Sequence, residues 1–216
     1  IRKGFVYSYT LSTSGGTEKT QFYVSGNYYK EQGTVLENDK TGYNFRSNIT
    51  SQLTKKLKLS VLFNGIFTQD NYENSGTLYD AYVNMPFDAA YDAAGSPIDG
   101  RTAANWQGRD RENFLHSLPY NYSKARSLNV NTDINLDYAN TPKLTFSTYN
   151  RVRFFDFKDA SYYDKRTKQG GANGGELYNS RSYTSRILTS NRLRYEESFG
   201  VHNLAGLAVG EAERNY

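Results

Sequence analysis

From residue 127 to residue 138 the chain reads SLNVNTDINLDY, and apolar and polar positions alternate throughout. Leu128, Val130, Thr132, Ile134, Leu136 and Tyr138 fall in one phase, and Asn129, Asn131, Asp133, Asn135 and Asp137 in the other. Successive strand side chains point to opposite faces, so this period predicts a strand with one apolar and one wet wall. The same period recurs along the chain and predicts further strands over about 5–13, 20–30, 42–52, 57–69, 143–157, 181–197 and from 202 to the end. In the third strand Tyr43, Phe45 and Ile49 oppose Asn44, Arg46, Asn48 and Thr50. In the seventh, Tyr183, Ile187, Leu193 and Tyr195 oppose Arg186, Arg192 and Arg194. The sixth strand is less regular, because Asn150 falls in its apolar phase, and both phases of the eighth are apolar or small.

The connections alternate in length. SGGTEK at 14–19, TKK at 54–56, NTP at 140–142 and SFGV at 198–201 are short. The stretches at about 31–42, 70–124 and 158–180 are long. In an up-and-down meander this puts every short turn at one end and every long loop at the other, the asymmetry of an outer-membrane barrel. The strands run to ten residues or more, against about 5–6 in soluble sheets. Ten residues rising about 3.3 Å each and tilted about 45° span roughly 23 Å, the height of a barrel's apolar band. Aromatic residues near the strand ends, among them Tyr28, Tyr29, Tyr43, Phe67, Tyr72, Tyr138, Phe155, Tyr183 and Tyr195, suit an interfacial girdle. The fold class expected is therefore all-β, an antiparallel meander of about eight long strands belonging to a larger transmembrane barrel. The rival is a secreted glycan-binding β-sandwich, which would bury its apolar face against a second sheet.

Composition narrows the classes further. The 216 residues carry a net charge of +4, with no cysteine, 20 Tyr and 12 Phe. Mean hydropathy is −0.77, and no apolar run approaches the roughly 18 residues of a membrane-spanning helix. Lys and Arg are scattered among Asp and Glu, which argues against a nucleic-acid partner. Without cysteine there is neither a disulfide framework nor a Cys-based zinc site. His116 and His202 lie far apart and read as structural or solvated rings, so no metal and no cofactor is expected. The chain opens IRKGFVYSYT without an initiator Met and closes GEAERNY straight after a strand, as a piece of a longer protein would.

Catalytic chemistry finds little support. Asp88 with Asp92, Asp110 with Glu112, and Glu196 with Glu197 pair carboxylates, yet nothing signals the burial that tunes an acid–base couple. GGANGGE at 170–176 is Gly-rich without a following helix to bind phosphate, and reads as a flexible loop tip. The chain is expected not to be an enzyme. The long stretch 70–124 is the strongest candidate for recognition, since loops of that length are uncommon and usually functional. It holds Trp106, the single tryptophan, with Tyr91, Asp92 and Arg109, a set suited to stacking on and hydrogen-bonding a sugar; the plainer reading, an ordered outside loop packed on the barrel rim or on a partner protein, stands beside it. A short helix is expected within 76–92, stopping before Pro86. Arg46, Asn131, Asp133, Arg192 and Arg194, in the polar phase of the strands, are expected to line the lumen.

Three stretches together resemble the SusC/RagA family of TonB-dependent outer-membrane transporters of Bacteroidetes. YSYTLSTSGGTEKTQFYVSGNYYKEQGTV at 7–35 is similar to a hairpin of that family, with SGGTEK as its turn. NDKTGYNFRSNITSQLTKKLKLSVLFNG at 38–65 resembles the strand–turn–strand that follows it, and YEESFGVHNLAGLAVGEA at 195–212 a hairpin further on. The resemblance implies a mid-barrel segment of a 22-stranded importer whose plug and TonB-box lie outside this stretch. It implies a bacterial outer-membrane location, energy relayed by the TonB complex, oligosaccharide or peptide cargo, outer-membrane lipid around the wall, and a SusD-like surface lipoprotein as lid. A passive porin or an assembly factor is the rival within the same class.

Overall fold

The computed structural model describes residues 2–72, 79, 82–108 and 112–216. Eight strands follow in order: β1 (Phe5–Gly16), β2 (Thr20–Gln32), β3 (Asp39–Gln52), β4 (Leu57–Tyr72), β5 (Tyr122–Ala139), β6 (Leu144–Tyr163), β7 (Glu176–Phe199) and β8 (His202–Asn215). Each pairs antiparallel with the next in a single sheet of order β1 to β8, so the meander is unbroken, with β1 and β8 its outer strands within this chain. The all-β meander read from the alternation is the fold observed. Strand lengths of 12 to 24 residues exceed the expected ones, mostly at the loop end. There β2 and β3 leave only residues 33–38 between them, and β6 and β7 leave 164–175.

The short turns have a common local cause. Thr17 Oγ1 accepts from the backbone N–H of Lys19 and of Thr20 at 3.2 and 3.1 Å. Thr54 Oγ1 does the same with Lys56 and Leu57, at 3.2 and 3.1 Å. Thr141 Oγ1 repeats it with Lys143 and Leu144, at 3.3 and 3.0 Å. A threonine hydroxyl thus stands in for a backbone acceptor and closes each hairpin. The last hairpin instead turns on Gly200, whose φ of 60° favours a residue without Cβ.

Register assigns every residue to a face. Tyr9, Tyr28, Tyr43, Phe67 and Leu128 oppose one another in one row across β1 to β5. Neighbouring rings of this row lie 5.2 to 6.5 Å apart. The face they share also carries Phe45 against Phe63, with ring centroids 5.9 Å apart. It is uncovered: Leu11 is 82% exposed, Tyr43 50% and Phe45 47%. A sandwich would bury this face on a second sheet, but all eight strands lie in one sheet with the apolar wall open, so that rival fails.

Three residues expected in the girdle belong to the opposite face. Tyr29 opposes Gly42 and its ring covers that residue, where a Cβ would collide with it. Tyr72 donates its hydroxyl to Asp159. Phe155 stacks on Phe157 with ring centroids 6.5 Å apart. Closeness to a strand end does not decide the face; parity does.

Burial is concentrated at the loop end. Trp106, Glu112, Asn113, Ser117, Ser123, Ala125, Asp164 and Thr167 are all buried. The long connections therefore fold down as a compact crown on the ends of β4 to β7. Among the described residues no helix is long and apolar enough to cross a membrane.

Candidate functional site: the polar face and the loop crown

The polar face is built by the Asn/Asp phase of β5 and the residues opposite it. Arg46, Asn64, Asn131, Arg153 and Arg186 stand directly opposed, strand to strand, in one row. One step nearer the short turns, Arg151 Nε and Nη2 grip the Asp133 carboxylate at 2.6 and 2.8 Å. Ser147 donates to Asp137 at 2.6 Å, and Asn131 to Asn129 at 2.8 Å. A groove lined by Tyr23, Arg46, Asn64, Asn131 and Asp133 brings three of the expected lumen residues together. Arg192 lies apart, in a second groove with Asn135, Asp137, Ser147 and Tyr149. Arg194 ion-pairs with Glu196 on the same face, nearer the short turns. All five expected residues therefore share one wall of the sheet. Beside Arg192 and Arg194, β8 presents Val209 and Leu207, 54% and 66% exposed, an apolar interruption that the mixed pattern of that strand concealed.

The crown is a polar lattice. Asp88 accepts from the backbone N–H of Gln107 and Gly108 at 2.7 and 2.6 Å, drawing the chain around Trp106. Asn113 donates to the carbonyls of Ala90 and Ile98 at 2.8 and 2.9 Å. Its side-chain oxygen caps the one-turn helix α1 (Phe114–Ser117) by accepting from Leu115 N–H. Arg101 holds Asp99 through Nε and Nη2 at 3.0 and 2.8 Å. It also donates across to the carbonyl of Thr167 at 2.9 Å and to that of Arg166. His116 faces the Arg166 carbonyl at 3.3 Å, in the structural role expected of it. The Arg166 guanidinium lies 3.8 Å over the Tyr120 ring. One clamp thus ties the 73–121 connection to the 164–175 connection.

Charge in the crown follows from these contacts. The Arg101 guanidinium beside Asp99 holds that carboxyl below its ordinary range. Arg166 does the same, strongly, to Asp164. Glu112 moves the other way: burial pushes its carboxyl up, although Ser117 donates to it.

The expected recognition set is dispersed. Trp106 is 6% exposed, so its ring is enclosed within the crown and not offered to solvent. Asp92 accepts from Ala94 and Ser96 N–H at 2.9 and 2.8 Å and closes its own turn. Tyr91 is half-exposed and makes a β-bridge with Pro97. Arg109 lies outside the described residues, as does most of the helix expected within 76–92, of which Tyr79, Tyr82 and Val83 are helical. GGANGGE is not a free tip at its start. Lys168–Gly171 forms a second one-turn helix, α2, capped by Thr167, and Gly170 is packed against the Tyr163 and Asp164 carbonyls. Sequence reasoning missed Asn113, Asp164 and Thr167, and it named Glu112 without foreseeing that this carboxyl is buried. The one signal was an Asn or Thr immediately ahead of each short helix, the usual N-cap pattern.

No protein-family model matches the chain. It is 25% identical over 207 residues to TonB-dependent receptor P3 of Formosa agariphila, covering 94% of this chain and 21% of that protein. It is 26% identical over 155 residues to TonB-dependent receptor P26 of the same organism, covering 66% of this chain and 16% of that protein. A solved structure of the RagAB peptide transporter superposes with a TM-score of 0.72 at 17% identity, over 97% of this chain and 24% of that one. The chain thus spans about a fifth of the first curated relative's length, and its fold is that of a stretch of the RagAB barrel.

Proposed function

We propose that this chain, a length of barrel wall from a TonB-dependent receptor of the bacterial outer membrane, forms part of an energised importer for oligosaccharides or peptides. The observation that carries the reading is the division of one continuous eight-stranded sheet into an open apolar wall and a hydrogen-bonded polar wall, with all long connections at one end. The apolar wall meets lipid. The polar wall, with Arg46, Asn131, Asp133, Arg192 and Arg194, lines the lumen and offers hydrogen bonds to a plug or to passing cargo. Val209 and Leu207 give that plug an apolar foothold. The peptide transport named for RagAB favours peptide as one cargo class, and oligosaccharide remains the other.

In this reading the chain performs no catalysis. The crown faces outward, and a SusD-like surface lipoprotein closes over it. TonB engages the parent receptor outside this stretch. Tyr91 is the ring that incoming cargo meets, while Trp106 and Asp92 hold the loop in shape and Arg109 contributes from the same loop. The test is uptake of labelled peptide and oligosaccharide pools by cells expressing the full-length receptor, with and without TonB. Loss of uptake without TonB is expected. Uptake that persists without TonB would favour a passive porin.

A further inference from the structure

The apolar wall ends, at the loop side, in a row of cations. Arg126, Lys158 and Arg181 stand directly opposed across β5, β6 and β7, and Lys124 lies two residues beyond Arg126 on the same face. Like charges directly opposite one another in a sheet are destabilising. Among the described residues only Asp156 answers them within this cluster: Arg181 holds it at 2.7 Å and Lys158 lies 4.0 Å away. The Lys158 and Arg181 side chains are 55% and 57% exposed, and Arg126 is exposed as well. Two positions toward the turns, the same face becomes Phe67, Leu128 and, one step further along β6, Phe154. Arg126 stands about 13 residues above the turn end of β5, which at about 3.3 Å per residue and a tilt of about 45° is about 30 Å. That is just past the top of an apolar band about 25 Å tall.

We propose that Arg126 and Lys158, flanked by Lys124 and Arg181, bind the phosphate-bearing headgroup of an outer-leaflet lipid. The proposal rests on the reading of the apolar wall as lipid-facing. At this height a charge on the outside of the wall meets headgroups, and an anionic phosphate supplies the counter-charge that the sheet lacks. A lipid held by its acyl chains on Leu128 and Phe154 and by its phosphate on the cation row is anchored at both ends. Surface cations near anionic lipid each strengthen binding severalfold.

The test uses the full-length receptor in neutral detergent, with native mass spectrometry counting bound short-chain phosphatidic acid and phosphatidylcholine. Phosphatidic acid is expected to bind the parent, to resist competition by inorganic phosphate, and to bind the Arg126→Gln/Lys158→Gln variant about thirtyfold more weakly. The charge-conserving Arg126→Lys/Lys158→Arg variant should keep the binding, which separates a lost site from a lost fold. Equal binding by the Gln variant overturns the proposal, as does binding abolished by free phosphate. If instead the parent fails to insert into phosphatidylcholine vesicles at all, the lipid-facing reading itself has failed.

Discussion

Arg151 and Asp133 join β6 to β5 by two bonds of 2.6 and 2.8 Å, a bidentate Arg–carboxylate grip between strands on the polar face. Both side chains are partly exposed, 33% and 22%. A double-mutant cycle with Arg151→Met and Asp133→Asn in the full-length receptor should give a coupling of about 1 kcal/mol, the scale of a well-aligned, partly solvated pair. Urea unfolding in detergent would measure it. A coupling of zero would mean the grip contributes geometry without stability.

Register along β5 makes a second expectation concrete. Single cysteines at 128, 130, 134 and 136 should be shielded from membrane-impermeant thiol reagents in intact outer membranes, and cysteines at 129, 131, 133 and 135 should react when the plug is absent. The chain's lack of cysteine keeps the background clean within this stretch. Equal reaction at both sets would refute the two-walled reading.

The crown clamp should govern loop opening. Arg101→Met removes two bonds to Asp99 and two to backbone carbonyls of the 164–175 connection. Charge-assisted bonds of this kind contribute on the order of 1–2 kcal/mol net. Chymotryptic cleavage near Tyr79 and Tyr82 should accelerate roughly tenfold if cleavage tracks the open population. Arg101→Lys should rescue poorly, since an ammonium lacks the planar fork.

Acidity should act on the crown in two opposed ways. Burial raises the Glu112 carboxyl, so the folded crown holds its proton more tightly than the open one. Glu112 therefore favours closure below the ordinary carboxylate range and weakens it as pH rises through the raised value. Asp99 is depressed by Arg101, so its contribution is present at neutral pH and fades on acidification. Glu112→Gln should slow amide exchange in α1 and its flanks at neutral pH, and the difference should vanish in acid. A difference that grew in acid would reverse the assignment.

The strands were legible because their chemistry is periodic. Between residues 128 and 138 of β5 the apolar phase is broken only by Thr132, and the polar phase is regular throughout. The strand ends were less legible: Asp39, Lys40, Ser161 and Tyr162 continue the ladder beyond the apolar band, where neither phase needs to be greasy. The crown was not legible at all in its contacts. Arg101 meets the carbonyl of Thr167, 66 residues away, and no local pattern encodes such a meeting. Trp106 illustrates the cost of reading type without place: an aromatic in a polar loop looks like a platform for a ligand, and here it is the loop's own filling.

The aromatic row on the open wall has an optical consequence. Tyr9, Tyr28, Tyr43 and Phe67 hold their rings 5.2 to 6.5 Å apart, with neighbouring planes inclined by 13° to 51°. Transition dipoles so close and so regularly skewed couple as one chromophore, with a handedness set by the twist of the sheet. Circular dichroism from this array would report whether the first four strands have found their register, independently of the backbone signal that any β-rich aggregate shares.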